Sequence, residues 1–435
     1  MTERRRRLVL AASLYGLATA AYVLCAASKT WREHTEFNHF ALQAEAWLEG
    51  RLDLGGAPPA YAGGNDFSRF GGKWYIPFPP FPALLLLPAV ALAGSAEAVR
   101  DGRLFLLLAG TAPAALFLAL EKLRRHARSQ RTERDNVLLA LLFAFGSVYF
   151  FSAVQGTVWY AAHVVGTALA ALYLLVALEA ERPLLAGTLL ALGFATRAPL
   201  LFAAPLFLLE LFRVCHPDGL AALARPRGVW DGLDRPRFFR ALAWFALPLA
   251  AVVALTCVHN QLRFGDPFEV GYRYLQVVWR ARIEKWGLFH YHYFPRNLGV
   301  VLTSLPWWGD AEHPPRVHGN GLALWFTTPA YLLLFFPKRT PVPHAALVLT
   351  ALAVALPTLF YQNTGWIQFG YRFSNDYAVF LFALLALGGR PFKSVFLALG
   401  VFAVVVNAFG ALTFQRPEAE RFYAIERASH FYEPD

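Results

Sequence analysis

Apolar runs of about 20 residues, the length that crosses a hydrocarbon layer, alternate along this chain with two kinds of polar segment. The first run is Leu8–Ala27. Others follow at Leu104–Leu120, Asn136–Ser152, Val158–Leu178, Leu242–Val258, Gly321–Phe336, Ala345–Phe360, Ser374–Leu387 and Val395–Thr413, with a broken pair at Leu184–Ala195 and Pro199–Phe212. The pattern predicts an all-α, polytopic integral membrane protein with about 11 transmembrane helices. One further run, Pro77–Gly94, carries Pro77, Pro79, Pro80, Pro82 and Pro88. Proline blocks a continuous helical ladder, so this run is expected to lie at the membrane interface or to re-enter.

The polar segments differ in kind. Segments 121–135 and 214–240 are rich in arginine, and shorter basic turns sit at Arg182, Lys338-Arg339 and Arg390–Lys393. Lys and Arg favour the cytoplasmic side, which predicts a cytoplasmic N-terminus behind Arg4-Arg5-Arg6-Arg7. The other segments are rich in Trp, Tyr, His, Asn and Gly and fall outside: a first outer loop over 29–103 with juxtamembrane helices, and a second large outer segment over 259–320. No soluble domain interrupts the chain, so 1–435 reads as one transmembrane domain.

Composition agrees. The chain is 57% hydrophobic and 16% charged, whereas soluble domains carry about 25% charged residues. The net charge of +11 follows from the basic loops and their contact with anionic lipid. No basic-aromatic module points to nucleic acid. Three cysteines make no disulfide framework. The first apolar run is long for a signal peptide and is expected to stay as an uncleaved span. The single Met and the excess of Arg over Lys have the look of a bacterial chain, which places the protein in the inner (cell) membrane.

Candidate chemistry lies in the outer segments. Glu36 follows the first span, where a carboxylate pinned at the headgroup layer could deprotonate a hydroxyl acceptor; it could equally favour a helix start. Asp66 follows Gly63-Gly64-Asn65 and reads either as a turn residue or, with Glu36, as a ligand to a divalent cation such as Mg or Mn. Lys73 adds a cation to the same loop. Arg197 interrupts an apolar stretch beside Pro199. Arginine at membrane depth is costly, so it faces an anion or a cavity, or else reaches the headgroups. Arg372 has the same logic, with Gln368 and Tyr371 nearby and Asp376 four residues on as an expected salt-bridge partner. His163 lies one turn into a span and Asn260 opens the second outer segment. His290 and His292 find no third ligand for zinc. No phosphate-binding glycine loop and no serine nucleophile elbow is present.

Glu36, Phe40, Ala44 and Gly50 directly after the first span resemble the start of the GT-C superfamily of membrane glycosyltransferases, in its bacterial family-39, mannosyltransferase-like branch. Further stretches resemble the same superfamily: Gly71–Pro88, Gly187–Arg197, Asn260–Phe268 with Gly271-Tyr272, and Gly370–Phe373. The resemblance implies a hexosyl- or pentosyltransferase that uses a polyprenyl-phosphate-linked sugar. A glycan, lipid or protein would be the acceptor, with the active site on the periplasmic side. Glu36 falls on the superfamily's catalytic acid, although the usual acidic pair is missing because Phe37 follows. On this reading Glu36 and Asp66 are catalytic, and Arg197, Arg372, Tyr371, Gln368, His163, Lys73 and Asn260 bind substrate. A glycan polymerase or ligase of another fold, and a transporter or flippase of lipid-linked glycans, remain as alternative readings.

Overall fold

The computed structural model describes residues 2–64, 66–224, 229–277, 279–309 and 314–425. The described chain is mostly helical. Among the described residues, six helices are long and apolar enough to cross a membrane: Glu3–Cys25, Asp101–Arg125, Val158–Ala180, Ala198–Cys215, Arg235–Phe264 and Ser394–Thr413. Four shorter apolar helices accompany them: Phe81–Ala93, Pro183–Phe194, Pro343–Leu359 and Ala378–Leu387.

Side-chain size decides which helix is central. The Val158–Ala180 span is 83% buried, whereas the Arg235–Phe264 span is 6% buried. The central helix carries Ala161, Ala162, Gly166, Thr167, Ala168, Ala170 and Ala171, all buried. Small residues let helix backbones approach closely where no water drives packing.

Three expected spans differ from the pattern. The run Asn136–Ser152 is two pieces, Glu133–Phe145 and Tyr149–Ala153. The first starts at a capping box between Thr132 and Asp135. It stops at Gly146, where the Ser147 hydroxyl donates back to the Phe143 carbonyl and accepts from the Tyr149 amide. The run Gly321–Phe336 is a short helix, Leu324–Thr327, and a 3-10 segment, Pro329–Phe335, because Pro329 offers no N–H to continue the ladder. The third run begins earlier than expected, at Asp101, with a break at Gly110.

The 26–100 segment folds into helices Ser28–Arg32, His39–Leu48 and Phe81–Ala93, with a hairpin between Ser68–Phe70 and Lys73–Tyr75. The hairpin turn is Gly71-Gly72 with φ of 56° and 78°. Positive φ at both central residues is what a two-residue hairpin turn matching strand twist needs. The Phe81–Ala93 helix has 13 residues, about 20 Å of rise against a hydrocarbon layer of about 30 Å. Its first amide donates to the Ala195 carbonyl at 2.9 Å, which ties the loop to the break that precedes Arg197.

At the arginine-rich end, three carboxylates gather the basic loops. Glu121 takes Arg124 and the Asn136 amide. Glu179 takes Arg128 and Arg213. Glu210 takes Arg213 as well, at 2.9 Å.

Candidate active site

Asp66 stands just ahead of the hairpin with φ of 60°. A left-handed backbone costs a non-glycine residue about 1–2 kcal/mol, least for Asp and Asn. The hairpin fixes what surrounds it. The Phe67 carbonyl accepts from the Gln276 amide, and the Ser68 hydroxyl donates to the Gly271 carbonyl at 2.7 Å. These bonds carry the 271–276 turn, and with it Tyr272, to the Asp66 side of the loop. The Trp159 indole N–H donates to Asp66 Oδ2 at 2.7 Å. Trp159 lies in the first turn of the central helix and packs on Phe37 with ring centroids 4.6 Å apart.

Arg197 and Asp376 form the second part. The break at Pro199 leaves Arg197 extended, with φ of −145°, and sends its guanidinium to Asp376. The pair is bidentate, Nε to Oδ1 at 2.9 Å and Nη2 to Oδ2 at 2.6 Å. His163 approaches the same carboxylate, Nδ1 to Oδ1 at 3.4 Å. Gly166, one turn further along the central helix, makes room: a Cβ there would lie 2.9 Å from Arg197 Cγ.

Arg372 is the third part. It begins the 3-10 segment Arg372–Asp376, which is pinned from behind by Asn375. The Asn375 amide donates to the Ser152 hydroxyl at 2.9 Å, and its carbonyl accepts from Thr167. The Arg372 guanidinium is buried over the Tyr160 ring, 5.2 Å from its centroid. It touches the Ile367 carbonyl at 3.4 Å. Among the described residues no carboxylate lies within ion-pair distance of it. Its charge acts on Asp66, on Arg197 and on the Tyr361 hydroxyl. Tyr272 interacts with Asp66, Arg197 and Tyr361. The result is one half-buried group: a carboxylate, a neutralised guanidinium, an un-neutralised guanidinium and two tyrosines. Burial pushes the Asp66 carboxyl above the ordinary carboxylate range, against the opposing pull of the Trp159 hydrogen bond and the Arg372 charge.

The expected residues separate accordingly. Asp66, Arg197, Arg372 and His163 come together. Asp66 is also the turn residue its glycines suggested. Glu36 is not brought to this group: its side chain is exposed and pairs with Lys29 at 2.8 Å. Lys73 is exposed and pairs with Asp53 at 2.9 Å. Asn260 is buried, accepting from Arg263 and donating to the Pro267 carbonyl, while Arg263 holds the Ile76 carbonyl. Gln368 is fully buried and clasps its own loop, donating to the Asn320 and Thr364 carbonyls and accepting from the Arg372 amide. Tyr371 is fully buried with its hydroxyl on Thr358. The expected Arg372–Asp376 salt bridge is replaced by Arg197–Asp376. The reason is geometric, because three residues per turn put positions four apart about 120° around a 3-10 axis.

Sequence reasoning missed Asp376 as Arg197's partner, together with Trp159, Tyr272 and Tyr361. The available signal for Asp376 was an acid at the mouth of an apolar run, which demands a buried partner. A divalent cation does not fit the group. Asp376 is covered by Arg197 and His163, so Asp66 supplies the free carboxylate alone. Among the described residues no three His, Cys, Asp or Glu gather to hold a metal.

No family model matches the chain, and no curated protein matches it. Among solved structures it is similar to the oligosaccharyltransferase of Archaeoglobus fulgidus. Against the apo form the TM-score is 0.55 at 13% identity, covering 96% of this chain and 59% of that one. Against the form tethered to an acceptor peptide containing the NVT sequon it is 0.51 at 13% identity, covering 94% and 58%. Against the complex with Zn and sulfate it is 0.51 at 16% identity, covering 96% and 54%. The chain thus spans less than two thirds of the length of the protein it matches. At such identity the likeness is one of fold alone.

Proposed function

We propose that this chain is an inverting glycosyltransferase that moves a hexose or pentose from a polyprenyl-phosphate donor to a hydroxyl of a glycan, lipid or protein acceptor. The observation that carries the reading is a buried guanidinium, Arg372, that lacks a carboxylate partner among the described residues and whose charge acts on the half-buried carboxylate of Asp66. Arginine binds phosphate oxygens through paired N–H donors, and a charge fixed in a low-dielectric group stabilises a leaving phosphate more than one in water.

Asp66 takes the proton of the acceptor hydroxyl. The freed oxygen attacks the anomeric carbon in line as the bond from that carbon to the phosphate oxygen breaks. The bonding pair leaves with the phosphate, beside Arg372. Arg197 is occupied by Asp376 and holds the shape of the group, with His163 behind it. The positive-inside pattern supports a reading in which this chemistry lies on the outer face of a bacterial inner membrane.

The test is transfer by purified protein in detergent, using labelled polyprenyl-phosphate sugars and recovery of label in an acceptor. Net transfer lost in Asp66→Asn supports the reading. Movement of intact lipid-linked glycan across liposomes, with no transfer in detergent, overturns it in favour of a transporter.

A further inference from the structure

At the arginine-rich end, a second group of cations is built differently from the glutamate-held one. A narrow crevice there is lined by Arg131, His344 and Arg390 together with Leu333, Leu334 and Phe396. Arg131 is 7% exposed. Its Nη2 donates to the Leu385 carbonyl at 2.9 Å and its guanidinium lies 3.9 Å from the Phe392 ring centroid. Its Nε has no hydrogen-bond partner. The acid whose charge acts on it, Asp135, accepts from the Thr132 amide in the helix cap. Arg390 bonds the Phe336 carbonyl. Arg339 lies beside Gly389, where a Cβ would sit 3.3 Å from its Cδ. Lys338 is held to the same place by its amide on the Gly388 carbonyl at 2.9 Å. The three stretches that supply these groups, 128–131, 337–344 and 388–396, contain no Asp or Glu.

A buried guanidinium with an open N–H, backed by further cations and no acid, matches an anion that comes from outside the chain. Much of the crevice wall is apolar, with Leu333, Leu334, Leu384 and Phe396 in it, and the residues next to two of these in the chain, Phe335 and Val395, are 77% and 70% exposed. That combination suits a charged head with a hydrocarbon tail. We propose that the crevice binds the phosphate headgroup of an anionic phospholipid, with the head on Arg131 and Arg390 and an acyl chain along Leu333, Leu334 and Phe396. Basic pockets between membrane helices take such headgroups. The site is separate from the transfer chemistry. Asp376 precedes the Ala378–Leu387 helix and Leu385 lies near its far end, about 15 Å apart along the axis.

The test is lipid binding by native mass spectrometry and thermal shift on the full chain in detergent, with short-chain phosphatidylglycerol against phosphatidylcholine. The expected result is at least a tenfold preference for phosphatidylglycerol, falling about tenfold in Arg339→Gln/Arg390→Gln, whose lipid-free melting point stays that of the wild type. Arg131→Gln is expected to abolish the preference but also loosens the Leu385 contact, so the less buried pair is the deciding variant. Millimolar inorganic phosphate is expected not to compete, and equal competition overturns the lipid in favour of a free phosphate ligand. Equal binding of both lipids, or a preference that survives in the double variant, overturns the site. None of these readouts depends on sugar transfer.

Discussion

Two arginine groups, one held by glutamates near the basic loops and one around Asp376, are built in opposite ways. In the first group Glu121, Glu179 and Glu210 close on Arg124, Arg128 and Arg213, and each guanidinium has a carboxylate. In the other group Arg197 is closed by Asp376, but Arg372, over the Tyr160 ring, has no carboxylate partner among the described residues, and its charge acts on Asp66 and Tyr361. A closed pair cements loops together and has nothing to offer a ligand. An open buried guanidinium has not recovered its lost hydration, and in the proposed reaction the donor's phosphate supplies what is missing. The difference separates the groups that shape the site from the group that serves it.

The comparison can be broken most sharply at Asp66. Asp66→Asn keeps the shape and an acceptor for Trp159 but removes the base, and transfer should fall by about 10²–10⁴-fold with an unchanged melting profile. Asp376→Asn strands Arg197 in a buried place and should cost about 3–5 kcal/mol of stability, read as a lower midpoint in thermal unfolding. Arg372→Gln should lower kcat by about 10²–10³-fold while leaving the fold more stable or unchanged. That pattern, loss of activity without loss of stability, is the reverse of what a closed pair would show.

A subtler test uses pH. Burial raises the Asp66 carboxyl above its ordinary value, so the ionised form is the costly one. Its contribution to stability is therefore present at low pH and is lost as pH rises through the folded value. Activity runs the other way, since the base must be ionised. The acid limb of kcat/KM should lie above the ordinary aspartate value of about 4. Trp159→Phe removes the hydrogen bond that favours the charged form and should move that limb to still higher pH. The smallest effect is expected at Glu36. Glu36→Gln removes an exposed pair worth less than about 1 kcal/mol, and transfer should stay within about twofold of wild type. A collapse of activity in that variant would return the base to Glu36.

The helical, membrane-embedded character was legible from run length alone, because hydrocarbon thickness imposes it. The breaks were not. Gly146-Ser147 and Pro329 interrupt runs that hydropathy scores as continuous, since one backbone turn changes direction without changing polarity. Arg197 and Arg372 were legible for an energetic reason, the cost of arginine at depth. Their difference was not, because it depends on whether Asp376 sits on an α or a 3-10 spiral. Glu36 drew attention through its position after the first span, but position cannot say that Lys29 lies within reach. Gln368 and Tyr371 stood next to the open guanidinium in sequence and turn out to brace its loop, a distinction that only packing reveals.

Asp66 and Arg372 act on each other across the group without an ion pair between them, and this has a consequence for the proposed reaction. Before transfer the negative charge is on the aspartate and on the phosphodiester. Afterwards the aspartate is neutral and the phosphate holds both charges. The total is the same at the start and the finish, so the step relocates one unit of negative charge toward a waiting cation. It does not create new charge in an interior where water is scarce.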